Sequence, residues 1–184
     1  MPGSPFRNPL TWLLRFRHRR GYGVHSPFAY EFITQVIYSP GRYYAFEWLD
    51  LQYRCWERLL HVRRMAVDHL LFRLANWRQP RLTCAPEAGK RELSYLHQGC
   101  LHAELAAEGR RAQSDLLYVS TLRGDETDLL CADGLLVVDR LRENKAQWQR
   151  LKEEERVRVT FDLHDVGIAL LDRGLQRQDY VINW

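Results

Sequence analysis

The stretch RLTCAPEAG, Arg81 to Gly89, divides the chain into two unlike halves. Before it, apolar residues recur at helical intervals. After it, they come in short runs. RLTC reads as a strand, APEAG as a turn, and a helix opens at Lys90. Open α/β sheets carry phosphates and nucleosides in this context, at the turn between a strand and the next helix. Glycines in such a turn let backbone N–H groups approach a ligand with no Cβ in the way. Here Ala85, Pro86, Glu87 and Ala88 fill the turn and only Gly89 is left. Pro86 has no N–H to offer, and Glu87 would repel an anion. The turn stands where a cofactor turn belongs, but it is crowded.

The runs that follow are CLHAEL, DLLYVST, GLLVVDRL, VRVTFDLH, VGIALLD and YVINW. LLYV and LLVV are continuous, as expected of strands covered on both faces. Helical pieces at Lys90–His97 and Asn144–Glu155 alternate with them, which predicts an α/β fold with a mostly parallel sheet. Val157, Val159, Phe161 and Leu163 alternate with polar residues, and a turn at His164–Asp165 leads into VGIALLD. An antiparallel C-terminal finish follows from that. Asp115, Asp133 and Asp139 flank the buried strands. Asp139 follows LLVV, at the strand end where such sheets place ligands. Its plain reading is a cap or an ion pair with Arg140 or Arg142. Glu104, near the end of CLHAEL, could take ribose hydroxyls.

Upstream, Asn8-Pro9 and Ser26-Pro27 each supply an N-cap acceptor and a proline at the first helical position. Phe28, Phe32 and Val36 form an amphipathic stripe that Ser39-Pro40-Gly41 ends. No glycine or proline lies between Ala45 and Arg78. One long helix, or two abutting ones with a break near Val62–Met65, is expected there. The chain thus divides into a helical region, residues 1–79, and an α/β domain, residues 80–184, packed as one unit. Its 184 residues can bury a real core, and 46% hydrophobic content argues against disorder.

Residues 1–80 carry 12 Arg and no Lys against 5 acids, hence +7, and the remainder is −3. Arg15, Arg17, Arg19 and Arg20, interleaved with Trp12 and Phe16, could meet nucleic acid, an anionic membrane or an acidic partner. The plainer reading is a helix that packs its leucines and solvates its arginines. No apolar run reaches the ~18–20 residues that span a bilayer. MPGSPFRNPL lacks a signal-peptide core, and a cytoplasmic location is the expectation. Cys55, Cys84, Cys100 and Cys131 form no C-x-x-C pair; buried reduced thiols are expected. His97, His102 and Glu104 lack a third metal ligand nearby, Asp162, His164 and Asp165 read as a solvated strand end, and Ser120 has no nucleophile context. Tyr43, Tyr44, Phe46, Trp48, Tyr53 and Trp56 read as core and interface material.

The segments GVHSPFAYEFI, YYAFEWL, LLFRLANWRQPR, VTFDLHDVGIALLDRG and YVINW, in this order and spacing, resemble a bacterial subfamily of the class I S-adenosylmethionine-dependent methyltransferases. The resemblance implies a Rossmann-like sheet and a site for S-adenosylmethionine. It points to Thr83, Cys84, Gly89, Glu104, Ser120 and Asp139 as the cofactor-binding positions and assigns no catalytic residue. The family's first-strand motif is roughly L-E-x-G-x-x-x-G. Thr83 stands for its acid, Ala85 for its first glycine, and Gly89 matches its last. Glu104 matches the ribose-binding acid. Ser120-Thr121 replaces an Asp-Gly, and Asp139-Arg140 an Asp-Asp, where Arg140 would oppose a metal ion. Only about ten residues, Ala106 to Ser114, follow the second strand, too few for a helix, a strand and another helix. The expected fold is therefore a reduced methyltransferase sheet, mostly parallel with antiparallel C-terminal strands, behind N-terminal helices. The expected function is that of a degenerate methyltransferase-like protein. It would need no cofactor and would act by binding a protein partner or a second copy of itself. The alternatives are an active enzyme with a remodelled S-adenosylmethionine turn and a nucleic-acid module using the arginine-rich half.

Overall fold

The computed structural model describes residues 24–53, 58–106 and 113–184, with 58–63 described by backbone alone. Helix α1, Pro27–Phe32, starts as its sequence demands: the Ser26 hydroxyl accepts from the Ala29 N–H at 3.3 Å, with Pro27 at the first helical position. It continues as a π-turn over Ile33–Ile37. Arg73, which is buried, donates to the carbonyls of Val36 and Ile37 at 2.7 and 3.1 Å, so the orphan acceptors at that helix end are met by a side chain. Helices α2, Tyr44–Gln52, and α3, Arg58–Arg78, follow. Helix α2 ends at Gln52 with Tyr53 as its C-cap, and Val62–Met65, where a break was expected, lies inside α3. No glycine or proline marks the end of α2.

Among the described residues seven strands form one sheet: β1 (Leu82–Cys84), β2 (Glu104–Ala106), β3 (Ser114–Val119), β4 (Leu130–Asp139), β5 (Val159–Asp162), β6 (Val166–Leu170) and β7 (Gln178–Val181). Their order is β2-β1-β3-β4-β6-β5-β7. β6 alone runs against the rest, antiparallel to β4 and to β5. β7 lies parallel to β5 at the edge. The fold is α/β, a mostly parallel sheet with an antiparallel C-terminal element, as the run lengths predict. The hairpin turn also stands where expected: His164 takes φ 78°, and the Leu163 N–H donates to the Val166 carbonyl.

Helices cover both faces, which explains why β3 and the second half of β4 are buried throughout and carry the apolar runs LLYV and LLVV. On one face α1, α3 and α4 (Lys90–Gly99) enclose a core with Phe32, Leu70, Leu96, Leu116, Val137 and Phe161. On the other, α5 (Lys145–Glu153) sets Trp148 and Leu151 against Leu117, Val138 and Ala169. Gly167 admits Trp148, for a Cβ there would lie 2.9 Å from its ring. Tyr43 and Phe46 pack on Phe72, but Tyr44 and Trp48 are exposed rather than core. Of the described cysteines only Cys100 is buried; Cys84 and Cys131 are half-buried, contrary to expectation. No described helix is long and apolar enough to cross a membrane.

Candidate functional site

Parallel strands β1, β3 and β4 direct their C-terminal ends to one edge of the sheet. Cys84 pairs with Leu117, and Val119 with Val138. The turn after β1 therefore lies beside Tyr118–Ser120, with Asp139 next in line. This edge brings together Cys84, Ser120 and Asp139, with Gly89 preceding α4 as its N-cap. Thr83 is buried in the middle of β1. Glu104 is not at this edge. It opens β2 rather than closing it, in register with Leu82, because Cys100–Ala103 forms a turn and not a strand.

Two side chains outside the list of expected cofactor-binding positions dominate it: Glu87, read from sequence only as repelling an anion, and Arg64, not singled out at all. The first is Glu87. One carboxylate oxygen accepts from the Ser120 N–H at 2.9 Å, the Ser120 hydroxyl at 2.7 Å and the Thr121 N–H at 2.9 Å. The other accepts from the Arg123 guanidinium at 3.2 Å. Partial burial works to raise the Glu87 pKa, but the Ser120 hydroxyl, the two backbone donors and Arg123 together hold it below the usual carboxylate range. Glu87 thus fastens the turn after β1 to the end of β3. The loop it grips is fixed from behind. Asn144 donates to the Ser120 carbonyl at 2.8 Å and accepts from the Leu122 N–H at 2.9 Å.

The second is Arg64 of α3. Its guanidinium meets Asp139 at 2.7 Å and contacts Glu92 of α4. The Tyr118 hydroxyl donates to the same Asp139 oxygen at 3.0 Å. The partner of Asp139 is thus Arg64, neither Arg140 nor Arg142; the Arg140 backbone N–H donates to its other oxygen at 2.9 Å. Burial opposes the Arg64 charge, yet Asp139 and Tyr118 together more than offset it, and the Arg64 pKa lies above the ordinary value. Burial, aided by the Asp139 charge, raises Tyr118 well above the phenol range. Arg140 itself takes the left-handed backbone, φ 52°, where the chain leaves β4. Non-glycine residues held there store strain of about 1 kcal/mol or more, and such residues gather at binding sites.

The other candidates have structural partners. Asp115 is buried and accepts the N–H groups of Arg81 and Leu82 at 2.8 and 2.9 Å, pinning the start of β1. Asp133 pairs with Arg78 at 2.8 Å. No group of three His, Cys, Asp or Glu able to hold a metal ion occurs among the described residues, His97, His102 and Glu104 included. Arg15, Arg17, Arg19, Arg20, Cys55 and Trp56 lie outside the described residues.

No protein-family model matches the chain, and no curated protein matches it significantly. Solved structures similar to it include the SAH-bound methyltransferase PaMTH1 of Podospora anserina, at 11% identity and a TM-score of 0.42 over 94% of this chain and 98% of that one. Cofactor-bound Rv0187 from MTB is similar at 11% identity and a TM-score of 0.43, over 93% of this chain and 98% of that one.

Proposed function

We propose that this chain is a methyltransferase-like protein that has closed its own cofactor turn and acts by binding or assembly rather than by methyl transfer. The observation that carries the reading is the Glu87 carboxylate lying across the strand ends, bonded to Ser120, Thr121 and Arg123. A ligand seated beside β1 would have to lift that carboxylate from four donors. Pro86 offers no N–H in exchange, and the side chain of Ala85 is buried where a glycine would leave room. The residues present do not fit an adenosyl group. Asp139, the acid that closes β4, is already bound to Arg64 and Tyr118.

Calorimetric titration with S-adenosylmethionine and with S-adenosylhomocysteine tests this. Binding weaker than about 1 mM for both is expected. A micromolar dissociation constant for either would overturn the reading in favour of an active enzyme that opens on binding.

A further inference from the structure

The loop after β3 already binds an anion, and that anion belongs to the protein. Two successive backbone N–H groups, Ser120 and Thr121, converge with the Ser120 hydroxyl on one oxygen of Glu87, and the Arg123 guanidinium takes the other. Consecutive N–H groups aimed at one point make an anion nest. A guanidinium beside them supplies the planar fork that suits carboxylate and phosphate. We propose that this loop is a binding site for a small molecule bearing a phosphate or carboxylate group, and that Glu87 is its internal competitor.

The donors owe their arrangement to other groups. Asn144 holds the loop through the Ser120 carbonyl and the Leu122 N–H, and the Leu122 side chain is buried. The Glu126 carboxylate holds the N–H groups of Arg123 and Gly124. Withdrawing Glu87 therefore leaves a preorganised set of donors, and a site organised before its ligand arrives loses less on binding. Glu87 comes from a separate turn, closed by the Ala88 N–H to Ala85 carbonyl bond at 3.1 Å. The site also faces solvent: the Arg123 side chain is 67% exposed, and Thr121 is exposed. An incoming anion can exchange with Glu87 without opening the core.

The proposal shares Glu87 with the function proposed above but does not require the cofactor site to be lost. Its test is a titration of isotope-labelled wild type, Glu87→Ala and Glu87→Ala/Arg123→Ala with inorganic phosphate and, separately, acetate at constant ionic strength. The Ser120 and Thr121 amide shifts are followed. Removing the competitor should tighten phosphate or acetate binding by about tenfold or more, since apparent affinity scales with the open fraction. Loss of Arg123 should weaken it again. The tighter of the two anions identifies the class. Glu87→Gln, which keeps the shape and loses the charge, should fall between wild type and Glu87→Ala. No saturable shift in either Glu87 variant, or the same affinity with and without Arg123, overturns the proposal. S-adenosylhomocysteine is titrated into Glu87→Ala alongside. Anion binding without it leaves both readings standing. Anion binding with micromolar S-adenosylhomocysteine binding keeps this one and overturns the loss of the cofactor site. S-adenosylhomocysteine binding without anion binding overturns this one.

Discussion

Asp68 has no exposure at all, and it lies between α3 and α4 with charge on every side. One oxygen takes the Arg91 guanidinium at 2.5 Å; the other lies 3.9 Å from Arg64 and has no hydrogen-bond partner among the described residues. Burial pushes its pKa from 3.8 up to about 6, against the pull of Arg91 and Arg64 and with a small push from Asp139. The folded state therefore holds the Asp68 proton more tightly than the unfolded chain does. The stability this supplies is complete below the ordinary aspartate value and is lost as pH rises through the folded one. In urea unfolding, wild type should lose stability relative to Asp68→Asn as pH rises from about 4 to about 7. A gap that stays constant, or widens in favour of wild type, would mean that the arginines win over burial. The same neighbourhood shows what single residues reveal in sequence. Asp139 was legible because a buried run ends at it. Its partner was not, since Arg64 stands 75 residues earlier on a helix whose pattern gives no reason to single out one arginine. Glu87 was legible as the wrong sign for an anion site. Its part as the anion itself depends on Ser120 and Thr121 arriving beside it, which only the strand register fixes.

Helices α3 and α4 approach closely at Gly99, the last residue of α4. A Cβ there would stand 2.4 Å from the Phe72 carbonyl oxygen and 2.9 Å from the Ala75 Cβ. Backbone cannot yield as a flexible side chain would. Gly99→Ala should destabilise the protein by about 1–3 kcal/mol through overpacking, even though alanine favours a helix interior by up to about 1 kcal/mol over glycine. Thermal unfolding reads the sign directly, and an unchanged or raised midpoint would mean that the two helices can part at no cost. Local chemistry made some elements readable. Ser26-Pro27 fixed the start of α1, and the alternation from Val157 to Leu163 foretold β5. Others were hidden where the chain is read by its neighbours rather than by itself. The end of α2 at Gln52 carries neither glycine nor proline. β2 is three residues long, and the apolar Cys100-Leu101 before it forms a turn in which Leu101 is exposed. That β7 runs parallel to β5 at the sheet edge is set by tertiary pairing alone.

The two ends of the described chain meet across the sheet. Rings from four elements stack in line: Trp77 of α3 edge-on to Phe32 of α1 at 4.8 Å, Phe32 on Phe161 of β5 at 4.8 Å, and Phe161 on Tyr180 of β7 at 5.3 Å. The Trp184 indole N–H donates to the Ile37 carbonyl at 3.1 Å, and the Tyr38 hydroxyl to the Asn183 carbonyl. A boundary at residue 79 is therefore a change of sequence pattern and not a gap between cores, since one apolar cluster draws on α1, α3 and the strands together. Phe32, which is fully buried, sits at the centre of it. Phe32→Ala should cost about 3–5 kcal/mol, the range for emptying a buried aromatic site. Cooperative coupling dictates where the loss appears. If the helices and the sheet unfold as one, the slowest-exchanging amides of α3, around Leu70–Leu74, and those of β4, around Leu136–Val138, must lose the same free energy of protection. If α3 loses protection while β4 keeps it, the helical half opens on its own, and the aromatic stack joins two units that can separate.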